Sequence, residues 1–155
     1  MEEIYYSNIY RIDKKKPEHT HSKSRLQTVW NASIAYFAIV FGVAFFLGAF
    51  RIAILVPWIG ELAAVCVEMP VILTVSWKAT KWTVRSFNVS PYALMDRMLM
   101  GFLAFVWLML AELALSVLAF GKTPAEFVHE LTSSPPHLLG LIGQILYGWM
   151  PFFGG

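Results

Sequence analysis

From Val29 to Phe50 the chain carries no charged side chain. A helix needs about 20 mostly apolar residues to cross the hydrocarbon core of a bilayer. In lipid a lone segment must satisfy its own backbone N–H and C=O groups, and a helix does so. Three further stretches have this character. Residues 57–77 are interrupted only by Glu61 and Glu68, and residues 98–120 only by Glu112. Residues 137–153 are apolar but near the short limit, so they either span where the bilayer thins or dip in as a re-entrant segment. None has the polar face of an amphipathic surface helix. The pattern predicts an all-α integral membrane four-helix bundle, with helices at about 29–50, 57–77, 98–120 and 137–153. Residues 28–155 then form a transmembrane domain, and residues 1–27 a polar, basic tail.

Composition agrees. Charged residues make up 14% of the chain and the mean hydropathy is +0.59, whereas soluble domains carry about 25% charged residues. A disordered chain would need low hydrophobicity. The single cysteine, Cys66, excludes a disulfide framework and any multi-cysteine metal centre.

The 12 Lys and Arg residues set an orientation. Arg11, Lys14, Lys15, Lys16, Lys23 and Arg25 precede the first segment, and Lys78, Lys81, Arg85 and Arg97 lie between the second and third. Only Arg51 and Lys122 fall on the other side. By the positive-inside rule the N- and C-termini are cytoplasmic. Trp30, Trp77, Trp82 and Trp149 then cluster near the cytoplasmic helix ends, as an interfacial belt does. The first apolar run exceeds the roughly 7–15 residues of a signal-peptide core and no A-x-A site follows it, so it reads as an uncleaved span. The run Asp13-Lys14-Lys15-Lys16-Pro17 reads as a topology signal, with attraction to anionic lipid as the alternative. His19 and His21 have no third ligand nearby and do not make a metal site. Thr123 before Pro124 marks the start of a short outer surface helix over about 124–131, ended before Pro135-Pro136.

Ionisable residues inside spans are costly and are candidates for function by default. Arg51, Glu61, Glu68 and Glu112 form the expected polar centre. With the second helix starting at Pro57, the hairpin turns through 51–58, Glu61 lies level with Arg51, and the two pair near the outer interface. Glu68 and Glu112 share a depth to within a turn or two. Two facing carboxylates in a dry bundle cannot both ionise cheaply, so they either carry protons or bind a cation, or hydrogen-bond across helices and pin the packing. Pro70 frees the Cys66 carbonyl as a further ligand. Gln144 implies an interhelical bond. Small residues four apart, Ala38 and Gly42, Ala44 and Gly48, Gly60 and Ala64, would let helices approach closely. No His lies deep in a span, which argues against a bis-His haem. There is no phosphate loop, nucleophile elbow or H-E-x-x-H, and no basic face for nucleic acid. No cofactor and no metal are expected.

The stretch Tyr36-Phe37-Ala38-Ile39-Val40-Phe41-Gly42, followed by Leu47-Gly48-Ala49-Phe50-Arg51, Val56-Pro57, Gly60-Glu61, Glu68-Met69-Pro70, Lys81-Trp82 and Arg85-Ser86-Phe87, resembles a family of small uncharacterised four-helix bacterial inner-membrane proteins. The likeness covers roughly residues 30–153. It implies a multi-pass location in the bacterial inner membrane and transfers no catalytic residue. The function expected is non-enzymatic: a structural or accessory protein acting through helix contacts in the lipid bilayer, with itself as a homo-oligomer or within a larger membrane complex. The alternative is an oligomeric proton- or cation-linked transporter using Glu68 and Glu112.

Overall fold

The computed structural model describes residues 18–89 and 94–154, and the side chains from Arg25 onward. The run 13–17 lies outside the described residues, and the side chains of His19 and His21 are likewise not described. Helices account for all the regular structure, and there is no strand among the described residues. Helix α1 spans Glu18–Phe50 and continues through a π-helical turn, Arg51–Leu55, into α2, Val56–Ile59. Then follow α3 (Glu61–Ser86), α4 (Leu94–Phe120), α5 (Pro124–Glu130) and α6 (Pro135–Phe153). Three helices, Arg25–Ile59, Glu61–Ser86 and Leu94–Phe120, are long and apolar enough to cross a membrane.

The first helix departs most from expectation. It starts well before Val29 and does not turn at 51–58. Pro57 has no N–H to continue an α-helical ladder, and just before it the ladder widens so that the Val56 N–H reaches the Arg51 carbonyl. A π-turn absorbs such a mismatch without ending the helix. The Gly60 N–H then bonds the Val56 carbonyl at 3.0 Å. The reversal happens at Gly60 alone, at φ 79°, a conformation open to glycine and strained for other residues.

The buried stripe of α1 is Val29, Ala32, Ser33, Tyr36 and Val40, the i, i+3, i+4 spacing of one helical face. It packs against α3 and α4. Beyond Val40 the stripe stops, and none of residues 41–59 is buried. Helix α6 packs on α3 and α4 and runs antiparallel to α4. Gln144 meets Glu112, Gly148 meets Gly101, and Gly154 reaches Thr80 and Trp77. Tyr36 joins α1 to α6: its hydroxyl donates to the Tyr147 carbonyl at 3.0 Å, and the two rings stack at 4.7 Å.

Arg25, Lys78, Lys81, Arg85 and Arg97 lie toward one end of the bundle, and Arg51 and Lys122 toward the other. Arg25 Nε donates to Asp96 Oδ2 at 2.7 Å, clasping the starts of α1 and α4. At the other end Lys122 Nζ lies 2.7 Å from both oxygens of Glu130. Helix α5 carries the expected cap: the Glu126 N–H donates to Thr123 Oγ1, and the Thr123 N–H donates to Glu126 Oε2 at 2.7 Å. That backbone donor, with the Thr123 hydroxyl and nearby Lys122, holds the Glu126 carboxyl below its usual range. A lowered folded pKa gives stability that is full above the ordinary carboxylate pKa and lost as pH falls through the folded value. The protection of the α5 amides, taken relative to the intrinsic exchange rate at each pH, will therefore fall on acidification below that range. Glu126→Ala, which deletes the carboxyl that both Thr123 groups hold, will remove this acid dependence and leave the rest of the fold protected. An unchanged acid dependence in that variant would refute the cap.

Candidate functional site

A cleft of about 210 Å³ opens between the far half of α1 and helices α3, α4 and α6. Its α1 wall is Val40, Ala44, Gly48 and Arg51, successive positions along one face. Gly140 and Gly143 of α6 face it too. A side-chain carbon added at Gly48 or Gly140 would meet nothing within 4 Å. Gly48 and Gly140 therefore leave space between helices, whereas Gly143 packs closely on Met69 of α3. Of the spaced pairs read from the sequence, Ala38 is exposed and Gly42 open, so neither makes a close helix contact. The tightest backbone approach lies elsewhere, where Gly101 of α4 meets the Gly148 carbonyl of α6.

Four polar residues of the cleft come from four different elements. Arg51 Nε stands 3.2 Å from Glu68 Oε2, and their side chains are 28% and 16% exposed. This N–H is not aligned with that oxygen, so Nε makes no hydrogen bond. On the opposite wall Gln144 Nε2 lies 2.7 Å from both Glu112 oxygens. Gln144 Oε1 and Tyr147 Oη are buried without a hydrogen-bond partner, and Tyr147 is only 4% exposed.

Three of the four expected site residues, Arg51, Glu68 and Glu112, therefore line one cleft. Glu61 does not: it is exposed at the start of α3, and the expected Arg51–Glu61 pair is replaced by Arg51–Glu68. The reversal at Gly60 explains the exchange. Arg51 stands nine residues before that turn and Glu68 eight after it, so an antiparallel hairpin brings them level. Cys66 is exposed and is not among the residues lining the cleft; the Pro70 carbonyl in the next turn accepts from Thr74 Oγ1 at 2.7 Å. Tyr147 was not singled out from the sequence. The available signal is that a phenol in an apolar helix still requires a hydrogen-bond partner. No group of three His, Cys, Asp or Glu gathers among the described residues.

These helices are those of a membrane protein. Comparison with protein-family models, with curated proteins and with solved structures finds no match.

Proposed function

We propose that this chain is a multi-pass protein of the bacterial inner membrane that acts without chemistry of its own, as a structural or accessory protein engaging other helices within the bilayer. The observation that carries the reading is the far half of α1. The buried stripe ends at Val40, and only 6% of the apolar span window of this helix is buried within the chain. Ala38, Gly42 and Ala49 leave room there for a second helix backbone. Four crossings with both termini cytoplasmic fit the course of α6. At 19 residues it is about 28 Å long, close to the roughly 30 Å hydrocarbon core, and it returns to the basic end. The separation of Arg25, Lys78, Lys81 and Arg85 from Arg51 and Lys122 supports the same orientation, and the family resemblance supports the bacterial membrane.

The test is the native mass of the gently extracted protein. The expected result is an assembly larger than one chain, homomeric or with defined partners, that Gly42→Leu breaks without lowering thermal stability. A wild-type monomer with no partner chain would overturn the reading. A second reading, proton- or cation-linked transport by an oligomer, is favoured by one observation: Glu68 and Glu112 line the same cleft.

A further inference from the structure

We propose that the cleft between α1, α3, α4 and α6 binds one monovalent metal cation through Glu112, Gln144 and Tyr147. This deepens the second reading above. The titratable and charged groups facing the cleft are Arg51, Glu68, Glu112 and Tyr147. Arg51 and Glu68 offset each other at 3.2 Å. Glu112 has no cationic partner among the ion pairs of the described residues, and its only hydrogen-bond donor there is the neutral Gln144 amide. With both carboxylates ionised the lining carries one surplus negative charge, within helices apolar enough to cross a membrane, where an uncompensated ion is costly. A single positive charge closes that balance.

The two orphaned oxygens separate a metal ion from a proton. A proton on Glu112 cancels the charge and supplies one donor, so at most one of Gln144 Oε1 and Tyr147 Oη gains a partner. A cation cancels the charge and takes both as ligands. The donors are carboxylate, amide and phenol oxygens, with no His or Cys in the lining. Such a set suits a hard alkali cation and not a transition metal. Ala44, Gly48 and Gly140 keep open the space that an ion and a water would fill.

The experiment is thermal unfolding of the purified full chain in lipid nanodiscs, titrated at constant pH and ionic strength with sodium or potassium against N-methylglucamine. The expected result is a melting temperature that rises with the logarithm of metal-ion concentration above a midpoint. Glu112→Gln removes that dependence. Tyr147→Phe, which keeps the ring stacked on Tyr36 and deletes only the oxygen, moves the midpoint to higher concentration and serves if Glu112→Gln does not fold. Equal melting in all salts overturns the proposal. So does a metal-ion response that survives both variants, or one that follows pH alone, which would mark a proton site. Each of these failures leaves the native mass, and with it the accessory reading, untouched.

Discussion

Glu68→Leu will destabilise the protein far more than Arg51→Leu and Glu68→Leu together. The single change leaves a largely buried guanidinium without its counter-charge. Removing one partner of a buried pair costs roughly 3 kcal/mol, the lower end being apt because Arg51 keeps some exposure. The double change trades the pair for apolar contact, which is often neutral or better. The measurement is reversible unfolding in mixed micelles across the two single variants and the double. If the two single effects simply add, Arg51 and Glu68 are not coupled and the hairpin register through Gly60 is wrong. The same cycle with Glu61 in place of Glu68 should show no coupling, since Glu61 is exposed at the turn.

Gly101→Ala should be as damaging, through sterics alone. A methyl group there would overlap the Gly148 carbonyl oxygen and crowd Pro151 Cδ at 3.2 Å. The obstacle is backbone on the facing helix, so no rotamer change relieves it, and α4 and α6 must separate. Overpacking of this kind costs about 1–3 kcal/mol, and a backbone clash places Gly101 at the upper end. Gly42→Ala is the control. Nothing lies within 4 Å of its added carbon, so the same chemical change should be neutral or, by reducing freedom in the unfolded chain, stabilising by about 0.5 kcal/mol. Equal losses at the two glycines would mean that α4 and α6 do not cross there.

Both predictions depend on contacts that local spacing did not disclose. Four-residue spacing drew attention to Ala44 and Gly48, which line a gap, and passed over Gly101, which makes the close crossing. Spacing along one helix shows which residues share a face. It does not show whether another backbone arrives at that face. Gly143, packed against Met69 of α3, sits one turn from the open Gly140 of the same helix for the same reason.

What the sequence alone determined is the kind of protein: helices, three of them long and apolar, with most of the described basic residues toward one end and the Thr123 cap of α5 at the other. Those features follow from desolvation of the backbone and from side-chain chemistry within a few residues, so they are written locally. What the tertiary structure decided is which polar groups meet. Pro57 follows a π-widened turn within a continuing helix and does not start a new one after a hairpin at 51–58. That course moves the reversal to Gly60 and gives Arg51 to Glu68 in place of Glu61. The joining of Glu112 to Gln144, and the burial of Tyr147 with its hydroxyl unpartnered, likewise arise only when α6 lies down against α3 and α4, because a helix crossing is set by surfaces far apart in the chain.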